Sequence, residues 1–392
     1  MTTPTDPSST AATQALIARR IRQDVQDMHA YAVQDASGMV KLDAMENPFS
    51  LPSALQEALG KRLGALALHR YPDARVNDLR AALAAFAGMP AGYDIMLGNG
   101  SDELISLLSL ACSRPMQPGQ GGEGRPVVLA PVPGFVMYAM SAQLQGLEFV
   151  GVPLTADFAL DVPAMVQAIA QRQPAIVYLA YPNNPTANLW DAGDMATVIA
   201  AAQQAGSIVA VDEAYQPFSS RTYLEVIRAR PAEHTHVLLL RTLSKFGLAG
   251  VRLGYMVGPA ALVAQIDKVR PPYNISVLNY ECALFALEYQ DTFAAQAQEI
   301  CAQRAILLEA LRAMPGVLAW DSDANMVLMR CPAAAGGSID AAQQCFDALK
   351  ARGVLVKNVS KMHPLLAGCL RLTVGTAAEN ARLIRALQEI LC

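Results

Sequence analysis

The chain has 392 residues, 53% of them hydrophobic, which is enough for a sizeable core and for two domains. Its formal net charge is −4 with acids and bases interspersed, so it offers neither a basic stripe for nucleic acid nor a polybasic cluster for a membrane surface. Seven scattered cysteines without CxxC pairs or histidine spacing point to reduced thiols and no metal site, and no charge-free apolar run approaches the roughly 18 residues of a membrane span, so a cytoplasmic globular protein is expected.

Residues 1–14 are polar and read as a disordered tail, without the basic start and apolar centre of a signal peptide. Residues 15–52 read as an N-terminal segment packing with the smaller of two domains. It carries Arg19, Arg20 and Arg22 on a mixed helical pattern, and the Asn47-Pro48 break lies in KLDAMENPFSLP (41–52). A large domain is expected over 53–275. In HRYPDARVNDLRAALAAFAG (69–88) an Arg-Tyr-Pro turn precedes an Ala/Leu-periodic helix, where Tyr71 by itself suits packing better than function. IMLGNGSDELISLLSLAC (95–112) is a short strand ending at Gly98-Asn99-Gly100, after which Ser101-Asp102-Glu103 open a capped helix. Free amides and a positive dipole end suit an anion there, although a tight glycine turn is the plainer reading of GNGSDE in isolation.

PGQGGEG (118–124) is a surface loop by composition. VVLAPVPGFVMY (127–138) reads as strand, Pro-rich turn and helix start, placing Phe135 just past a strand end, either in the core or against a flat ring. AIVYLAYPNNPTA (175–187) stops a strand at Tyr181-Pro182, and Asn184, held extended by the next proline, can project its amide. SIVAVDEAY (207–215) ends a buried strand on Asp212, whose carboxylate needs a cationic or donor partner, with Tyr215 three residues on. The run at 236–240 then enters RTLSKFGLAGVR (241–252), delivering Lys245 into a loop. Lysine forms imines with aldehydes, and a neighbouring cation such as Arg252 or partial desolvation frees the neutral amine. The hydroxyls of Thr242 and Ser244 and the fork of Arg252 suit a phosphate monoester. An amine beside a phosphate pocket suggests pyridoxal phosphate; the plainer alternative is a surface Ser-Lys turn followed by a loop arginine.

Strands near 95, 127, 175, 207 and 236 with helical patterns between them make a doubly wound, largely parallel sheet, in which ligands bind beyond the carboxyl ends of the strands. Gly98, Phe135, Asn184, Asp212 and Lys245 all fall at such ends, a coincidence much harder to obtain by chance than any one of them. Residues 276–392 read as an α+β domain, with helices over 280–314, 339–352 and 377–391 and strands at 325–331, 354–360 and 369–375. Two of its strands carry Lys357 and Arg371 in apolar surroundings. A lone strand arginine is usually solvated, but two cations together suit an anionic substrate.

GNGSDE, YPNNPT, VDEAY, RTLSK and LAGVRLGY, in that order, resemble the signature of fold-type I pyridoxal-phosphate aminotransferases of class I/II. KLDAMENP, RYPD, FVMY and CLRLTVGTAAEN resemble the histidinol-phosphate aminotransferase family, from about residue 30 onward. The resemblance implies an α/β fold-type I transferase, with a large doubly wound, mostly parallel sheet domain and a smaller α+β C-terminal domain. It implies that Lys245 carries the cofactor aldehyde, Asp212 pairs with the pyridine nitrogen, Tyr215 and Asn184 bond the phenolic oxygen, and Phe135 stacks on the ring. Gly100, Ser101, Asp102, Thr242, Ser244 and Arg252 would hold the phosphate, with Tyr71 reaching the phosphate of the partner in a homodimer with shared sites. Arg371 would bind the acidic group of the substrate, helped by Lys357, Tyr31 and Asn47.

The implied reaction passes the amino group of L-histidinol phosphate to 2-oxoglutarate, giving imidazole acetol phosphate and L-glutamate in histidine biosynthesis. An aromatic amino acid aminotransferase or a threonine-phosphate decarboxylase would share nearly all the cofactor residues. A non-catalytic regulator module is disfavoured by the intact lysine and by the lack of a helix-turn-helix segment before residue 40. Two departures stand out: Ala187 replaces the glycine usual after Asn-Pro-Thr, and Lys357, lacking a bidentate fork, stands where an arginine is common.

Overall fold

The structure is a computed structural model that describes residues 7–28, 34–113, 124–332 and 338–391. Tyr31 and nearly all of the 118–124 loop lie outside the described residues. The chain divides into two compact units, residues 1–37 and 38–392, so the segment expected to run unbroken from 15 to 52 is split between them.

In the first unit a helix spans Pro7–Arg20, where half of a disordered tail was expected, and a short turn of helix follows at Gln23–Gln26. Proline at the first helical position costs no hydrogen bond, and the alanines that follow favour helix; that local preference prevails over the segment's overall polarity.

In the second unit the strands are β1 (Val40–Lys41), β2 (Tyr93–Gly98), β3 (Val127–Val132), β4 (Glu148–Pro153), β5 (Ile176–Ala180), β6 (Ile208–Asp212), β7 (Val237–Thr242) and β8 (Gly254–Pro259). They continue with β9 (Leu318–Ala319), β10 (Met326–Arg330), β11 (Val354–Leu355), β12 (Lys357–Asn358) and β13 (Cys369–Thr373). Among the described residues β2 to β8 form one seven-stranded sheet, in the order β2-β8-β7-β6-β5-β3-β4. Only β8 runs against its neighbours, so β2, β3, β5, β6 and β7 all present their carboxyl ends along one edge. The edge strand β4 was not anticipated: its Glu148, Gly151 and Pro153 are exposed, and the mixed pattern hides its period.

The alternation of side chains along a strand explains the core. Leu129, Val177, Leu179, Val211 and Leu239 pack into one apolar cluster, and their neighbours Val128, Tyr178, Ala210, Leu238 and Leu240 pack into another on the opposite face. Parallel strands covered by helices on both faces therefore read as continuous apolar runs, as β5 and β7 do. A third cluster lies under the four-stranded sheet β12-β13-β10-β9, with helices Gln290–Arg312, Ser338–Ala351 and Ala377–Leu391. The last helix opens with a reciprocal cap: Thr376 Oγ1 accepts from the Glu379 N–H at 3.3 Å, and Glu379 Oε2 accepts from the Thr376 N–H at 2.8 Å. Strand β1 pairs in parallel with β11, which ties residues 40–41 to the C-terminal part of the chain.

Candidate active site

The strand ends converge on one cavity of about 110 Å³. Its anion-binding end is built by backbone first. Gly100 turns with φ 79° directly before helix Ser101–Ala111, leaving that helix's first amides free, and Glu103 ties the turn by accepting from the Asn99 N–H at 2.6 Å. A Cβ on Gly100 would fall 2.6 Å from Arg252 Nη2, and one on Gly254 would fall 2.7 Å from the Ser101 nitrogen, so the cradle closes only around glycines. Thr242 and Ser244, both buried, bond each other at 3.0 Å. Arg252, in the left-handed region at φ 55°, donates to Ser244 Oγ at 3.4 Å and to Asp102 Oδ2 at 3.2 Å. Two hydroxyls, a guanidinium and free helix amides around one pocket make a fit for a phosphate dianion, as the expected cofactor requires.

At the other end Asp212 terminates β6, buried, with Oδ2 accepting from the Tyr138 hydroxyl at 2.7 Å and Oδ1 from the Ala214 N–H at 3.0 Å. Burial pushes its carboxyl up to about 6, against the pull of those two donors. A buried carboxylate with no cation of its own among the described residues, at the wall of an open pocket, is the partner a protonated pyridine nitrogen needs. Phe135, Asn184 and Tyr215 line the same cavity. Burial also raises the Tyr215 phenol, with Arg371 opposing.

Lys245 reaches this cavity from the turn after β7, and its Nζ donates to the Ala44 carbonyl at 3.0 Å and sits 5.9 Å from the Tyr215 ring centre. Burial above all, then the positive charge of Arg371, pushes its amine down to about 8. Arg371, buried on β13, donates to Asn184 Oδ1 at 2.8 Å and to the Asp43 carbonyl at 2.7 Å. Lys357 lies directly opposite Arg371 in the β12–β13 register, and opposed residues of an antiparallel pair share a face.

Among the expected residues that do not themselves line the cavity are Gly100, Arg371, Lys357, Asn47 and Tyr71, the last expected at the partner's phosphate rather than its own. Asn47 spends its amide on the Phe246 carbonyl at 3.3 Å and Gln296 Oε1 at 2.9 Å, bracing the turn that carries Lys245 rather than lining the cavity. Tyr71 is 78% exposed outside the cavity, its ring stacked on that of Tyr273 at 4.7 Å. Ala187, buried, adopts φ 65°, the left-handed conformation that explains why glycine suits this position.

Tyr138 and Met45 are among the lining residues that the sequence alone does not mark as such. Tyr138 follows Phe135 by three residues, so it shares a face at the start of helix Val136–Leu144, a spacing that could have flagged it. Met45 lines the cavity because its backbone is left-handed at φ 52°, its N–H donating to Thr373 Oγ1 at 3.0 Å and its carbonyl accepting from Asn325 at 3.0 Å. No sequence signal marks that turn.

Comparison with known proteins places this geometry. The family model for aminotransferase class I and II matches residues 37–387. The histidinol-phosphate aminotransferase of Polaromonas naphthalenivorans (strain CJ2) is 67% identical over 371 residues, covering 95% of this chain and 96% of that protein. Among solved structures, the histidinol-phosphate aminotransferase from Sinorhizobium meliloti in complex with pyridoxal-5'-phosphate superposes with a TM-score of 0.79 at 24% identity, over 95% of this chain and 97% of that one. The L-threonine-O-3-phosphate decarboxylase from Porphyromonas gingivalis gives 0.72 at 19% identity, over 90% and 99%, so the shared fold alone does not select the reaction. Sequence identity does: with a family model spanning most of its length and a relative 67% identical over 95% of the chain, the chain belongs to the class I and II aminotransferases and, within them, to the histidinol-phosphate aminotransferase family.

Proposed function

We propose that this protein is a pyridoxal-phosphate-dependent transaminase that moves the amino group of L-histidinol phosphate to 2-oxoglutarate, reversibly, in histidine biosynthesis. The observation that carries the chemistry is a depressed amine, Lys245, in one cavity with a buried carboxylate, Asp212, and an anion cradle. The substrate follows from the 67% identical relative of that name.

When bound, pyridoxal phosphate supplies an electron sink for the charge left at the substrate Cα. In this reading Asp212 would hold the ring nitrogen, Asn184 and Tyr215 would bond the phenolic oxygen, and Phe135 would stack on the ring. The cradle of Gly100, Ser101, Asp102, Thr242, Ser244 and Arg252 anchors the phosphate. Lys245 would hold the aldehyde carbon, and its amine, when free, would accept and return the Cα proton on Nζ, which a pKa of about 8 allows. Arg371 orients the acidic group of either substrate with its fork, itself held by Asn184, and Lys357 adds a second cation on the same face.

The homodimer, with Tyr71 completing the partner's phosphate site, belongs to the same proposal. It is supported by an aromatic side chain left 78% exposed and away from its own cavity. So does the division into a large domain at 53–275 and a small one at 276–392, supported by the seven-stranded sheet of β2 to β8 lying in the first range and the four-stranded sheet β12-β13-β10-β9 in the second. Among the described residues no helix is long and apolar enough to cross a membrane. A cytoplasmic location accords with the six free cysteines among those residues.

Half-reactions on the purified, pyridoxal-phosphate-loaded protein test the substrate. Histidinol phosphate is expected to convert the cofactor absorbance to that of its amine form at concentrations where phenylalanine does not. Conversion by phenylalanine alone would select the aromatic aminotransferase, and carbon dioxide release from threonine phosphate the decarboxylase.

A further inference from the structure

Resting on the cofactor reading above, we propose that Tyr138 is a positioning residue for Asp212: its hydroxyl keeps that carboxylate ionised, so that the proton shared with the cofactor stays on the ring nitrogen. The Tyr138 ring is buried and held from two sides, stacked on Tyr178 with centroids 4.3 Å apart and planes at 6°, and edge-on to Phe135 at 5.7 Å. A ring fixed in this way aims its O–H, and it aims it at Asp212 Oδ2 at 2.7 Å.

The need for such a donor follows from what else surrounds Asp212. Burial favours the neutral acid, and the carboxylates of Asp102 and Glu213 push the same way. The other titratable groups facing it are the phenols of Tyr178 from β5 and Tyr215 from the turn after β6, with Lys245 lining the same cavity. Opposing the burial are the Tyr138 O–H on Oδ2 and the Ala214 N–H on Oδ1. A donor to a carboxylate stabilises its charged form. Without the hydroxyl, the carboxylate binds a proton more tightly and draws it from the ring nitrogen, which weakens the ring as an acceptor of electrons. Tyr138 thus acts on the reaction through Asp212, and the stack on Tyr178 is what lets it do so.

The test titrates pyridoxal phosphate into the apo protein between pH 5.0 and 7.5 and follows affinity by absorbance. Tyr138→Phe keeps the ring and loses the donor. Its acid midpoint for cofactor binding is expected to rise by about one pH unit, with affinity at pH 6 lower by roughly fivefold, and kcat falling about tenfold at unchanged KM for the amino donor. Site-specific 3-fluorotyrosine at position 138, a stronger donor of nearly the same shape, is expected to move the midpoint down. The same midpoint in all three proteins overturns the proposal, as does a Tyr138→Phe protein that loses thermal stability but keeps the wild-type midpoint. Should Tyr138→Phe not fold, the fluorotyrosine protein decides alone, by shifting or not. A wild-type apo protein that takes up no pyridoxal phosphate at any pH overturns the cofactor reading and this proposal with it, whereas a normal wild type beside an unshifted variant overturns only the role of Tyr138.

Discussion

Lys245 owes its suitability as a nucleophile to place rather than type. Carried on the turn after a six-residue buried strand, with Arg371 and Arg252 nearby, its amine is held at about 8 instead of the usual range above 10. Because the folded-state pKa is lowered, the neutral and reactive form grows as pH rises toward 8 and saturates above it. The rate at which apo protein captures pyridoxal phosphate is therefore expected to climb roughly tenfold between pH 7 and 9 and then level off, where an ordinary lysine would keep climbing. Stopped-flow absorbance measures this, and Lys245→Ala is expected to fold, by circular dichroism, without developing the visible band at any pH. A persistent band in that variant would remove Lys245 from its role.

Behind Asp212, the next residue of the chain shows how an element is locked. Glu213, fully buried, accepts from Arg241 Nε at 2.9 Å and Nη2 at 2.8 Å and from the Thr222 hydroxyl at 2.8 Å, joining the ends of β6 and β7 to helix Tyr223–Ala229. Removing one partner of such a pair strands a buried charge. Arg241→Leu is expected to lower stability in urea by about 3–5 kcal/mol, and a double variant that also changes Glu213 to Leu to recover most of the loss. A loss below 1 kcal/mol in the single variant would mean the pair is solvated in solution. This lock was invisible in the sequence, where Arg241 was only the residue before a candidate hydroxyl. The strand ends carrying Phe135, Asn184, Asp212 and Lys245 were legible because buried parallel strands print as unbroken apolar runs and their ends as abrupt polar residues. Met45 was not, since its place depends on a left-handed backbone that a methionine does not announce.

On the scale of the whole molecule, Tyr71 offers a test of assembly. If it serves the neighbouring subunit, mixing two inactive or weakened variants restores activity. In a dimer of Lys245→Ala with Tyr71→Ala chains, one site has lost both groups while the other keeps its lysine and receives an intact tyrosine. Coexpression is expected to recover up to about half of the wild-type activity per mixed dimer, and recovery no greater than the average of the parents would place Tyr71 in its own subunit's service.

The two carbonyls of Asp43 and Ala44 bear on the same scale. One receives the guanidinium on β13 and the next receives the amine on the turn after β7, while Met45 fastens the peptide at both its ends. Arg371 and Lys245, proposed to bind the incoming acid and to carry its proton, are thus leashed to adjoining links of a single short chain. Any slackening of that leash moves them in concert, so changes at 43–45 would alter the tempo of both halves of the catalytic cycle alike while leaving the choice between donors untouched.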